Sequence, residues 1–268
     1  MNSRPGSYDF PSRPELEEIF LQKYGQPHEV GWAPKRRWQY GYYLPADVYE
    51  AVVKKAVFKG CSWIDIGGGQ SPFPDNPQLA HALATRCSML VTVDPSENVL
   101  QNPYAHQCIQ SVIEKYQTNQ KFDLATLRMV VEHVVKPEPL IDALARLLVP
   151  QGVAIVFTVN LWSPLTLVSR LTPFRLHDPI KKRIWGGDEK DTFPVKYRMN
   201  SSRTLRTLFD QHGFREVSFA YLDDLSTWGR FRSMNYIELL SWRFLQKLRL
   251  RYPEHCLLGV YQKKPRPA

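Results

Sequence analysis

Paired cysteines are missing from this sequence. Its four, Cys61, Cys87, Cys108 and Cys256, include no C-x-x-C spacing in 268 residues. A disulfide framework or a zinc knuckle needs such pairs, so reduced, structural thiols in a cytoplasmic protein are the expectation. The seven histidines form no H-x-x-x-H or related ligand pair, and no metal site is predicted. Behind Arg4 the N-terminus has no apolar run, which argues against a secretory leader. Charge is absent from Leu147 to Ser169, a length that could span a bilayer. Pro150, Gln151, Gly152, Asn160, Ser163 and Pro164 interrupt that stretch, and it reads as a turn, a buried strand and a loop. Internal repeats and low-complexity tracts are also lacking.

What is present suits one large α/β domain: 43% of the residues are hydrophobic, enough for a substantial core. Lys and Arg number 35 against 26 Asp and Glu, a net charge of +9. Such a surface attracts anions, whether phosphorylated small molecules, acidic lipid headgroups or nucleic acid. The basic residues are scattered rather than striped with stacking aromatics, and no RNA-binding module is attached. A small-molecule partner is therefore preferred over nucleic acid.

The chain is organised around Cys61 to Gln70. Its first half alternates apolar and small residues and reads as a buried strand; Gly67, Gly68 and Gly69 then bend the backbone where a ligand can approach closely. A dinucleotide fingerprint, G-x-G-x-x-G, fails because Pro72 stands where its last glycine belongs. That leaves nicotinamide chemistry as the weakest reading. A second strand, Met89 to Val93, ends in Asp94, where a carboxylate can accept hydrogen bonds from both hydroxyls of a ribose.

Further strands are expected near Gln107 to Ile109, at Phe122 to Leu127, at Val153 to Thr158, at Glu216 to Leu222 and at Cys256 to Tyr261. Helices are expected over Pro14 to Tyr24, from Pro45 to Gly60, from Pro77 to Arg86 and over Pro137 to Val149, with another starting at Asn200 or Ser201 and ending at Gly213. On the second of these, Tyr49, Val52, Val53, Ala56 and Val57 form a core-facing stripe. Strands alternating with helices at this interval predict a doubly wound, mostly parallel seven-stranded sheet with helical cap insertions. Ligands of such sheets bind beyond the carboxyl ends of the strands. Gly67, Asp94, Glu114, Arg128 and Asn160 fall at those ends.

Three features together resemble class I S-adenosylmethionine (SAM) dependent methyltransferases, in particular the small-molecule type 11 group. They are Asp65-Ile66-Gly67-Gly68-Gly69, the pair Phe122-Asp123-Leu124 and Glu132-His133-Val134, and the Pro150-Gln151-Gly152 turn. The chain departs from the pattern at Ser71, where a third glycine is usual, and at Pro72 and Pro74. The resemblance covers about residues 45 to 160 and implies a Rossmann-like fold with SAM as cofactor. It implies that Gly67, Gly68 and Gly69 wrap the amino-acid end of SAM and that Asp65 orients it. Leu127, Arg128 and Met129 would line the methionine end, with Ile113 and Glu114 near the adenine. The reaction implied is methyl transfer to a small acceptor, plausibly anionic or lipid-linked, at O, N or C. An RNA methyltransferase and a binding module that has lost catalysis are the alternatives.

In that scheme the SAM-binding domain covers residues 45–264, preceded by a cap or lid segment over 1–44. His133, just after the fourth strand, is the first candidate general base, and its alternative role is to fix the loop-helix junction. An insertion over 161–199 follows the fifth strand and is expected to cap the substrate. It contains His177, the second catalytic candidate, and the anion-binding candidates Arg170 and Arg175. Trp38, Tyr40, Asn160 and Tyr197 complete the candidate substrate contacts. A second insertion over 230–252 is a basic amphipathic helix whose apolar face is Ile237, Leu240, Phe244, Leu245 and Leu248. It would either pack that face on the core or dock it on the anionic inner face of a membrane.

Overall fold

The structure, a computed structural model, describes residues 8–171, 195–226, 228–229 and 231–265. Strand β1 (Ser62–Ile66) lies parallel between β2 (Met89–Asp94) and β4 (Phe122–Arg128). Outside β2 is β3 (Gln107–Gln110), and beyond β4 comes β5 (Leu148–Val159), both parallel to their neighbours. The sheet ends with β7 (His255–Lys263), antiparallel to β5, and β6 (Phe214–Asp223) on the edge. The order β3-β2-β1-β4-β5-β7-β6 is the expected seven-stranded, doubly wound, mostly parallel sheet.

Side chains alternate along the central strands, and each set has its own helices. Ile64, Val91, Leu127 and Val156 meet α5 (Pro137–Leu147) and α7 (Ser202–Gln211) on one face. Trp63, Leu90, Leu124 and Ile155 meet α1 (Arg13–Tyr24), α3 (Pro45–Ala56) and α4 (Pro77–Arg86) on the other. Helix α5 puts Leu140, Ile141, Leu144 and Leu147 into the core, each worth about 1.5–3 kcal/mol of burial. Helix α4 starts where Asn76 accepts a hydrogen bond from Leu79 N at 3.1 Å and Pro77 fills the first turn. The stripe expected on α3 is buried throughout.

That helix buries more than its stripe. Asp47 and Glu50 are also inside, where Lys23 of α1 reaches both, with Nζ 3.1 Å from Asp47 Oδ1 and 2.7 Å from Glu50 Oε1. Tyr24 donates to the same Asp47 oxygen at 3.0 Å, and Asn76 donates to Glu50 Oε2 at 2.8 Å. The N-terminal helix is thus tied to the sheet's covering layer through a buried ionic cluster.

Several assignments differ from expectation. Strand β5 starts at Leu148 rather than Val153, because the ladder with β4 jumps from Phe122↔Leu148 to Leu124↔Val153 and carries Pro150-Gln151-Gly152 as an irregularity. Helix α5 stops at Leu147, not Val149, for the same reason. The aromatic and basic stretch after Gly31 winds into a helix of its own, α2 (Trp32–Tyr40).

The inserted helix α8 (Arg232–Lys247) decides against one of its two expected placements, the apolar stripe packed on the core. Its inward side is Asn235, Glu238 and Leu239, all buried, with Trp242 half-buried. Trp242 Nε1 and Gln246 Nε2 donate to Asp223 Oδ2 at 2.9 and 2.8 Å, and Tyr252 donates to Glu238 at 3.0 Å. Polar partners at the end of β6 hold this side down. Most of the stripe expected to face the core or a membrane points away from the core: Ile237 is 57% exposed and Phe244 62%, with Leu240 and Leu248 also exposed. Among the described residues, no helix is long and apolar enough to cross a membrane.

Candidate active site

The glycine turn carries the most constrained geometry at the carboxyl edge of the sheet. Gly67 has φ +70° and Gly69 φ +49°, backbone that favours glycine. A β-carbon on Gly67 would collide with Val130 Cγ2, and one on Gly68 with Asp65 Oδ2. Ser71, in place of a third glycine, closes the turn: its N–H donates to Gly68 O at 3.0 Å, and its hydroxyl accepts from Phe73 N at 3.2 Å. The departure in sequence therefore leaves a formed loop.

Asp65 is buried at the end of β1. One oxygen accepts from the Thr126 hydroxyl at 2.6 Å, and that hydroxyl accepts from Trp63 Nε1 at 2.7 Å. The other oxygen, Oδ2, is buried without a hydrogen-bond partner. Burial pushes the carboxyl up from its ordinary 3.8 to about 7, against the pull of Thr126 and Arg128, and Asp94 adds to the rise. Asp94, at the end of β2, holds the turn from the other side, accepting from Gly69 N at 3.1 Å and Ser96 N at 2.8 Å.

These groups line one cleft of about 1310 Å³. It is also lined by Ile113 and Glu114 from the turn after β3, by Arg128 and Met129 at the end of β4, and by His133. Met129 sits at φ +53°, in the left-handed region, with its N–H on Phe157 O at 2.8 Å. Leu127 is fully buried within β4 and is not among the lining residues.

The substrate candidates are dispersed. Trp38 packs on Phe20, ring centroids 5.0 Å apart, and Tyr40 meets Tyr236 of α8 edge-on at 6.3 Å. Neither lines the cleft. Asn160 is buried with Nδ2 2.6 Å from His255 Nε2, joining the end of β5 to the start of β7. Tyr197, at φ +53°, donates its N–H to Glu132 O at 3.0 Å. Arg175 and His177 lie outside the described residues, as does the side chain of Arg170 in α6 (Pro164–Leu171).

Sequence reasoning missed two contributors, Asn102 and Lys196, and gave no role to a third, Glu132. Asn102 is buried and donates to Gly69 O at 3.0 Å, while its own oxygen accepts from Tyr104 N at 3.0 Å and Ala105 N at 3.2 Å. Lys196 reaches the cleft wall because its N–H, like that of Tyr197, is held by Glu132 O. Glu132 is itself buried and accepts from Thr158 Oγ1 at 2.7 Å, and that hydroxyl accepts from Asn200 at 2.8 Å. Burial raises the Glu132 carboxyl above its usual range despite the Thr158 bond. Only the Asn-Pro pair at 102–103, a turn signal, could have pointed to the first of these.

A family described as "Methyltransferase domain" matches residues 37–218, more than half of the chain. The chain belongs to this methyltransferase-domain family. Sheet order and family make it a class I, SAM-dependent methyltransferase. Solved structures share the methyltransferase's fold. The cyclopropane synthase MmaA2 from Mycobacterium tuberculosis is similar at TM-score 0.51 and 13% identity, over 95% of this chain and 99% of that one. A candidate SAM-dependent methyltransferase from Listeria monocytogenes gives TM-score 0.51 and 14% identity, over 79% and 94%. A candidate sarcosine dimethylglycine methyltransferase from Galdieria sulphuraria gives 0.51 and 12%, over 94% and 98%. No curated protein matches the sequence.

The methyltransferase's cleft fits its cofactor on its own geometry. At Gly69 nothing lies nearer to the position of a β-carbon than Asp94 Oδ2 at 4.0 Å, which leaves room for close approach, Asp65 Oδ2 is a buried acceptor without a partner, and Asp94 stands one strand away. The volume exceeds the roughly 300–1,000 Å³ of a single small-ligand pocket, leaving space for an acceptor as well.

A pH dependence follows from Asp65. With its carboxyl raised, the folded chain free of ligand holds a proton that the unfolded chain has released, so this group's contribution to stability is present at acid pH and lost as pH rises through about 7. If Asp65 receives the ammonium of the cofactor's methionine end, as the resemblance implies, ligand binding has the opposite slope, since only the ionised carboxylate makes that pair. Affinity for S-adenosylhomocysteine should rise about tenfold between pH 6 and 8, with proton release on binding. Calorimetry in buffers of different ionisation enthalpy measures both, and Asp65→Asn should flatten the profile.

Proposed function

We propose that this methyltransferase acts on a small, anionic or lipid-linked acceptor at an O, N or C atom. The observation that carries the reading is the character of the cleft's outer wall. Val130, Val134 and Val135 give it an apolar side, while Arg128, Lys136 and Lys196 supply positive charge. An acceptor with an acidic group and an apolar body matches both.

On this reading Asp94 accepts hydrogen bonds from the ribose hydroxyls, and Asp65 accepts from the amino group of the cofactor's methionine end. The backbone at Arg128 and Met129 borders that end, and Ile113 and Glu114 border the adenine. When bound, the cofactor supplies a methyl group on a sulfonium that already carries its leaving group. What remains for the chain is alignment, worth roughly 7–11 kcal/mol at best. His133 stands on the same cleft and takes the acceptor's proton where the acceptor is a hydroxyl. Arg128 and Lys196 hold the acceptor's charge.

Transfer of labelled methyl from SAM into fractionated polar-lipid and small-acid extracts tests the acceptor class. Label recovered only in RNA or protein would overturn it. Asp94→Ala tests the cofactor side. Loss of a charged acceptor costs about 1.5–3 kcal/mol, or some 10- to 100-fold in S-adenosylhomocysteine affinity by titration calorimetry. An unchanged affinity would remove Asp94 from the site.

A further inference from the structure

Helix α8 is amphipathic in the wrong direction for a helix that only covers a core. Met234, Ile237, Leu240, Phe244 and Leu248 are exposed, while the buried side carries Asn235, Glu238 and hydrogen bonds to Asp223. At 100° per residue Ile237, Phe244 and Leu248 fall within a narrow stripe, with Leu240 and Met234 on either side of it. Arg232, Arg243 and Lys247 follow one edge of that stripe, and Arg249 and Arg251 continue the charge past the helix end; all five are exposed. Glu238 is the helix's sole acid, and it is buried.

Aromatic and basic side chains from α2 extend the same surface. The Arg36 guanidinium lies 5.3 Å from the ring centres of both Trp32 and Tyr236, and Arg243 lies 5.6 Å from that of Tyr40. Arg36 also donates to Arg232 O at 2.6 Å, fixing α2 to the start of α8. Tyr42 holds the other end of α2, donating to Asp223 O at 3.0 Å and packing edge-on against Trp242 at 5.2 Å. Both ends of α2 are thus tied to α8 and β6, although the outer surface is apolar.

We propose that α8, with the basic edge it shares with α2, is a docking surface for an anionic lipid bilayer. An interfacial helix needs an apolar stripe to enter the headgroup region and cations beside it to meet acidic headgroups. Both are here on one exposed side. Charge complementarity selects the bilayer over a second copy of the chain, because two copies meeting on this surface would bring their basic edges together.

The topology gives the docking a consequence. Helix α8 leaves β6 at Asp223 and returns at His255, which pair with each other, and Cys256 beside His255 pairs with Val159 at the end of β5. It therefore emerges at the carboxyl edge of the parallel strands, the edge that carries the cleft. On the acceptor reading above, docking brings that edge to the membrane in which a lipid-linked acceptor resides. The docking itself does not depend on that reading.

Co-sedimentation of the full chain with vesicles tests the proposal, using phosphatidylcholine alone and phosphatidylcholine with 30% phosphatidylglycerol, at low and high salt. Wild type should bind the anionic vesicles at least tenfold more tightly than the neutral ones and lose most of that preference at high salt. The double variant Ile237→Glu/Phe244→Glu should lose at least tenfold in binding, and Arg243→Glu/Lys247→Glu should lose the preference for anionic lipid. S-adenosylhomocysteine binding by thermal shift should stay unchanged in both, which establishes that they fold. Failure of wild type to bind anionic vesicles, binding indifferent to the Ile237 and Phe244 changes, or a wild-type dimer that those changes make monomeric would each overturn the proposal. Vesicle binding is read without acceptor or methyl transfer, so it stands or falls separately from the proposed function.

Discussion

Gly68→Ala is expected to weaken S-adenosylhomocysteine binding by at least about 100-fold, equivalent to about 2.7 kcal/mol. The new β-carbon would occupy the position of Asp65 Oδ2, and neither group has an easy retreat. Asp65 is fixed by Thr126 at 2.6 Å, which is in turn held by Trp63, while the turn is held by Asp94 and Asn102 on its far side. Either the carboxylate leaves the wall of the cleft or the backbone moves out of the path of the ligand. Both outcomes act on binding before they act on the fold, whose core strands lie below the turn. Titration calorimetry measures the affinity, and circular dichroism confirms that the sheet persists. Gly31→Ala is the control: it stands at φ −59° with nothing within 4 Å of the added carbon, and should leave binding unchanged.

Lys23→Ala should be the most destabilising single change outside the apolar core. Its side chain is 2% exposed and faces two carboxylates, Asp47 and Glu50, that are as deeply buried. Burial alone would lower the Lys23 pKa, but the two acids more than reverse this and raise it. Removing the cation leaves two neighbouring negative charges without a counter-charge in the interior. Breaking a buried pair in this way costs about 3–5 kcal/mol, or roughly 6–20 °C in melting temperature for a chain of this size. The deficit should shrink at acid pH, where the stranded carboxyls take up protons, so melting curves at pH 5 and pH 8 separate this cause from lost packing. Burial already pushes the Glu50 carboxyl above its usual range in the intact cluster. Arg13→Ala, which removes an exposed ion pair with Glu17, should barely move the midpoint.

Two features of the fold were decided by contacts that no local pattern records. Periodicity on α3 identified the buried residues Tyr49, Val52, Val53 and Ala56, but nothing in it marks Asp47 and Glu50, three residues apart beside that stripe, as buried. Their burial depends on Lys23, 24 and 27 positions earlier in the chain. On α8 the apolar stripe was equally legible, but a stripe states only that one side of a helix differs from the other. Which side meets the protein was decided by Asp223 at the end of β6, whose carboxylate holds Trp242 and Gln246 and turns the stripe outward.

For the cleft, the residues belonging to a strand end and its turn were visible because local chemistry demanded them. Asp65, the three glycines and Asp94 sit where a parallel sheet opens, and each occupies a position its neighbours in sequence define. Lys196 had no such local reason, and Asn102 had only the turn signal of its Asn-Pro pair. One is carried to the cleft by a hydrogen bond to Glu132, and the other supports Gly69 from 33 residues away.

The alternation of β-branched strands with amphipathic helices was enough by itself to set the class of fold, and the acid before the glycines, with the later motifs, carried the family resemblance that implies the cofactor. These features act through backbone geometry and nearest-neighbour pattern, which a linear sequence records. Tertiary structure alone decided that Asp65 keeps an unpaired oxygen at raised pKa, that a lysine neutralises two acids beneath the N-terminal helix, and that an apolar helix face is left outside. Each depends on desolvation and on partners brought together across the chain, and burial of that kind exists only once the chain has folded.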